Sequence, residues 1–90
     1  MTSIKDIIIV FGDCDLKHEK LDNQDNRGEL DLEKRIISIA PHQDPINTYA
    51  TVIHEALHYH YERRGIHKTE AEILKEEKAL MYRWFKVKDY

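Results

Sequence analysis

The second half of the chain carries start and stop signals that leave room for two helices and little else. Asp44-Pro45 offers a side-chain acceptor for an N-cap, then a proline at the first helical position, where its missing N–H costs nothing. Gly65 tolerates the left-handed backbone that ends a helix. Thr69-Glu-Ala-Glu72 is a capping box, threonine as N-cap and glutamate three residues on. These signals predict one helix over 44–64 and a second over 69–86. So short a link makes them antiparallel neighbours in an αα-hairpin.

Upstream the pattern changes from helical to β-branched. Ile4 to Phe11 and Arg35 to Ala40 read as strands, the first broken by Gly12-Asp13 and the second by Pro41. Between them, Asp13 to Glu33 is polar, with Asn23, Asp25, Asn26, Arg27 and Gly28 as its clearest turn signal. It reads as a solvated connection holding short strand pieces; its acidic residues lack the spacing of a calcium loop. The expected fold is α+β, a two- or three-stranded antiparallel sheet packed on the hairpin. The 90 residues allow one compact domain, with strands and polar connection over 1–40.

Composition limits the function classes. A formal charge of −3 gives no overall attraction to nucleic acid or an anionic membrane. The apolar run Ile7–Phe11 is too short to span a bilayer, and Lys5-Asp6 interrupts any signal-peptide layout. Cys14 is the single cysteine, so neither a disulfide framework nor a cysteine zinc site is available. The expectation is a cytoplasmic protein without nucleic-acid or membrane partners.

Within the first helix, His54-Glu-Ala-Leu-His58 spells H-E-x-x-H. Histidines four apart lie about 40° apart around a helix, since each residue advances roughly 100°. Both imidazoles can therefore reach one metal ion, and Glu55 between them can take a proton from water. Ala50, Ile53, Leu57 and His60 fall on one side of this helix, with Tyr49 and Ala56 at its edge, which puts the motif beside the core. His60 reads as a packed or surface histidine; His18, His42 and His67 read as ordinary polar residues.

A zinc site needs a third protein ligand. In the second helix, Ile73, Leu74, Leu80, Met81 and Trp84 form an apolar stripe with Glu77 in its middle. A carboxylate buried there is expected only when paired or metal-bound. Reflecting the His54/His58 pair across the hairpin turn also falls on Glu77. Glu70, on the same face two turns earlier, is the alternative. Glu72 belongs to the capping box and Glu76 points away from the stripe. Tyr61 and Arg64 occupy the places where an extended H-E-x-x-H-x-x-G-x-x-H motif needs glycine and histidine.

From Ile36 onward the chain resembles the small H-E-x-x-H metallopeptidases with a glutamate third ligand (gluzincin type), in particular the compact phage and bacterial ImmA/IrrE-like group. The matching segments are Ile36-Ile-Ser-Ile39, Thr51-Val-Ile-His-Glu-Ala-Leu-His58 and the helix carrying Glu70 and Glu77. The chain departs from that group in lacking a Glu-Ala-Asn-x-Phe-Ala segment around the third ligand. The resemblance implies Zn2+-dependent hydrolysis of a peptide or protein substrate. His54, His58 and Glu77 would hold the metal and Glu55 would act as general base. Tyr49, Tyr61 or Tyr82 would supply an oxyanion donor, and an extended peptide would add to the edge of the strand over Ile36–Ile39. Two other readings are open. The metal could staple a binding module without catalysis. Alternatively, a metal-free helical domain would present Trp84, Phe85 and Tyr90 to a partner.

Overall fold

The computed structural model describes residues 14–18, 27–41 and 43–90. The predicted strand over Ile4–Phe11, most of the polar turn and His42 lie outside the described residues, as does the His18 side chain. The described elements are β1 (Asp15–His18), β2 (Gly28–Asp31), β3 (Ile36–Ile39), α1 (Pro45–Glu62) and α2 (Glu70–Phe85).

The strands form one sheet in the order β1-β3-β2, and it is mixed where an antiparallel sheet was expected. β2 pairs antiparallel with β3, Gly28 opposite Ile39 and Asp31 opposite Ile36. A turn of only a few residues joins them and permits no other direction. Asp31 Oδ1 accepts the Lys34 N–H at 3.0 Å, and Arg35 adopts φ 58°, closing the turn with a left-handed residue. β1 pairs parallel with β3, Asp15 opposite Ile36. The long stretch between β1 and β3 lets the chain return to the same end of the sheet, and strand direction leaves no trace in residue patterning. β3 is thus flanked on both sides, so the expected peptide-binding edge at Ile36–Ile39 is already occupied by backbone pairing.

Directly opposed antiparallel residues share a face of the sheet. A Cβ added at Gly28 would lie 2.5 Å from Thr51 Cγ2, so the face bearing Gly28 and Ile39 is the one α1 covers. Ile37, Ile39, Val52, Ile53, Ile73 and Met81 are fully buried at the centre. Each such side chain contributes about 1.5–3 kcal/mol relative to exposure.

Asp44 caps α1 by accepting the Asn47 N–H at 2.8 Å, with Pro45 following as predicted. The helix stops at Glu62, two residues short of the expected boundary. Ile66 N–H reaches back to the Tyr61 carbonyl at 3.0 Å across Gly65, whose φ is 73°. α2 begins with the complete Thr69/Glu72 capping box. It ends where Lys86 turns left-handed (φ 60°, ψ 30°), directing residues 86–90 back towards the core, where Val87 and Tyr90 are partly buried. The two helices touch through Tyr49 stacked on Phe85, ring centroids 4.7 Å apart, and through the Tyr61 hydroxyl donating to Glu76 at 2.7 Å. Leu74, expected in the apolar stripe, is exposed. Among the described residues no helix is long and apolar enough to cross a membrane.

Candidate metal centre

One turn of α1 places the His54 and His58 rings side by side, centroids 5.0 Å apart. Both turn their Nε2 atoms to one carboxylate, that of Glu70 in the first turn of α2. His54 Nε2 lies 2.9 Å from Glu70 Oε2, and His58 Nε2 lies 2.7 Å from Glu70 Oε1. The ligand atoms of these three residues all fall within 4.8 Å of one another. His54, His58 and Glu70 can therefore hold a metal ion, and Glu70 is the residue that sequence reasoning ranked second.

Glu77 occupies a different place. Its side chain is 7% exposed and its Oε1 meets His54 Nδ1 at 2.8 Å, on the other nitrogen of the ring. The Tyr90 hydroxyl donates to Glu77 Oε2. The carboxylate singled out by its position in an apolar stripe is thus buried and fully partnered, as physical chemistry requires. A single ion at the two Nε2 atoms would lie beyond its reach, because the two nitrogens of one imidazole point in diverging directions.

The proton count on His54 tests whether a cation suits this arrangement. A neutral imidazole carries one N–H. If Nδ1–H is donated to Glu77, a lone pair on Nε2 faces a carboxylate oxygen of Glu70 at 2.9 Å. That contact repels unless a proton or a metal ion lies between. His58 Nε2 presses on the same carboxylate. Two imidazole nitrogens and one carboxylate are also a donor set that zinc takes in open catalytic sites. The residues present suit a metal ion.

Electrostatics agree with this crowding. The hydrogen bond to Glu77 is the largest influence on His54 and raises it above its ordinary 6.5, with burial opposing. Burial works upward on Glu70, but His54 and His58 outweigh it and hold its carboxyl below the usual range. Burial raises Glu55 to about 7, the charge of His54 acting against it.

Glu55 and His54 open onto a cleft of about 590 Å³ whose floor is α1. Arg27 and Gly28 form one wall, and Leu74, Glu77 and Lys78 of α2 form the other, with Tyr90 at the margin. This explains the exposed Leu74: it faces the cleft, not the core. Tyr49, Tyr61 and Tyr82 are absent from the lining among the described residues. Tyr49 is engaged with Phe85 and Tyr61 with Glu76, while Lys86 and Lys88 approach the Tyr82 ring. His60 contacts the Arg64 guanidinium at 2.8 Å, and exposed His67 meets Glu62 at 3.2 Å.

Arg27, Gly28 and Tyr90 are cleft residues that sequence reasoning did not find. Arg27 and Gly28 looked like turn residues, and Tyr90 reaches the cleft only because the backbone reverses at Lys86. No local pattern announces either. No protein-family model, curated protein or solved structure matches the chain.

Proposed function

We propose that this protein is a zinc-dependent peptidase. The observation that carries the reading is the convergence of His54 Nε2 and His58 Nε2 on the Glu70 carboxylate, beside a cleft that also exposes Glu55. In this reading α1 and α2 form an αα-hairpin closed by the metal, with His54, His58 and Glu70 as its ligands. Glu77 orients His54 and is not itself a ligand.

Bound zinc supplies a Lewis acid that polarises a scissile carbonyl and acidifies water. Glu55 takes a proton from the water as its oxygen adds to the carbonyl carbon. Glu55 then gives that proton to the departing amine nitrogen as the C–N bond breaks, leaving a carboxylic acid and an amine. Among the described residues β2 is hydrogen-bonded to a strand on one side only and borders the cleft at Gly28. An extended substrate therefore aligns along β2.

One feature favours a second reading, a metal-stapled binding module. The three ligands join α1 to the first residue of α2, so the ion would brace the fold whether or not it catalyses. Glu55→Gln separates the two. Zinc-loaded wild type and variant are incubated with a mixed peptide library and the products identified by mass spectrometry. The peptidase reading predicts cleavage by wild type and loss of at least about 100-fold in the variant, with zinc content unchanged. No cleavage by zinc-loaded wild type would leave the binding module.

A further inference from the structure

Tyr90 is the one phenol lining the cleft among the described residues, and its hydroxyl is spent on a carboxylate. That carboxylate, Glu77, has its other oxygen on His54 Nδ1. The result is a relay, Tyr90 O–H to Glu77 to His54 Nδ1–H, ending on the ring whose Nε2 faces Glu70. We propose that Tyr90 is a positioning residue of the metal site. By holding Glu77 in place, it fixes the tautomer and plane of His54 and so presents the Nε2 lone pair to the ion. The inference rests on the metal reading above and adds to it a residue outside H-E-x-x-H and the third ligand.

Several contacts place this hydroxyl. Lys86 turns left-handed after α2, with its N–H on the Tyr82 carbonyl at 2.9 Å, and this reversal carries Tyr90 back beside α2. Lys78 then lies over the Tyr90 ring, 4.8 Å from its centroid. Burial and the hydrogen bond to Glu77 both push the phenol's pKa up, so it remains a donor. Glu77 is buried and needs both oxygens satisfied; Tyr90 satisfies the one that His54 does not. Without that hydroxyl the carboxylate can rotate and its grip on Nδ1–H loosens. An imidazole whose outer nitrogen is held by a fixed carboxylate is both better oriented and more basic at its metal-binding nitrogen. The segment 86–90 and the metal site are then coupled: whatever docks one favours the other.

The test is Tyr90→Phe, which keeps the ring under Lys78 and removes only the hydroxyl. Co2+ is titrated into the metal-free full chain, wild type beside variant. Affinity is read from the visible d–d bands, and the exchangeable His54 Nδ1–H is followed by proton NMR. The expected result is one Co2+ per chain in both, with affinity about 10-fold weaker in the variant and faster exchange of that proton. Because the variant leaves one buried Glu77 oxygen without its donor, it should melt lower in the metal-free form. Both titrations are therefore run well below either transition, where weaker affinity reports positioning and not lost folding. Equal affinity and equal proton exchange in the two proteins would overturn the role of Tyr90 while leaving the metal site standing. If the wild type takes no metal, the proposed function and this inference fall together.

Discussion

His54 is gripped by carboxylates on both ring nitrogens, and the two are not equivalent. Glu77 is buried and built into the packing, whereas the Glu70 side chain is 75% exposed and can shift to admit an ion. In the proposed metal reading, that difference assigns Glu77 to orientation and Glu70 to ligation. Gly28 matters at the same scale, because a Cβ there would meet Thr51 Cγ2 at 2.5 Å and the Ser38 carbonyl at 3.2 Å. Thr51 cannot easily turn aside, since its hydroxyl is held by the Asn47 carbonyl at 2.8 Å and its χ1 is stiff. Gly28→Ala should therefore destabilise the protein by about 1–3 kcal/mol, seen as a lower urea midpoint with an unchanged m value. An unchanged midpoint would mean that β2 can lift off α1 freely. Glu77 was legible in the sequence as a carboxylate that had to be paired, but its partner atom was not. Which nitrogen it meets depends on the plane of the His54 ring, and residue spacing does not encode that.

The helices were the legible elements because their ends are chemical. Asp44, Pro45, Gly65, Thr69 and Glu72 each act through a backbone group within a few residues, so the sequence predicts boundaries to within two positions. The sheet was less legible. β1 reads Asp-Leu-Lys-His, with no alternation to mark it, and its parallel direction follows from the path of the connection. The α1 cap also reaches the cleft. Asn47 gives its backbone and side-chain N–H groups to Asp44 and accepts from the Arg27 guanidinium at 2.7 Å, tying a cleft residue to the helix start. These hydrogen bonds, the backbone one first, hold the Asp44 carboxyl below its ordinary 3.8. A depressed folded-state pKa contributes stability that is present above 3.8 and lost as pH falls through the folded value. Asp44→Ala should accordingly lower the urea midpoint at about pH 7, with the gap to wild type narrowing below about pH 4. A gap that stayed constant with pH would show that the charge of Asp44 plays no part in the cap.

At the scale of the molecule, the candidate site joins pieces that small size leaves weakly held. His54 and His58 come from α1, Glu70 and Glu77 from α2, Tyr90 from the segment beyond it, and the cleft wall from the start of β2. A chain of 90 residues has limited core to hold these together, so an ion binding only the folded state would add directly to stability. The H-E-x-x-H motif made the two histidines of the candidate site visible from sequence. Glu55, Glu70 and Glu77 were visible as well. The division of roles between the two α2 carboxylates and the cleft residues Arg27, Gly28 and Tyr90 were not, because tertiary packing and the reversal at Lys86 set them. The central claim is that His54, His58 and Glu70 form one zinc site. The measurement that tests it most directly is zinc stoichiometry and affinity in metal-stripped, tag-free protein, wild type beside Glu70→Ala. The account predicts one zinc per chain in the wild type, bound at least about 10-fold more weakly in the variant. No zinc in the wild type, or equal affinity in the two proteins, would contradict it.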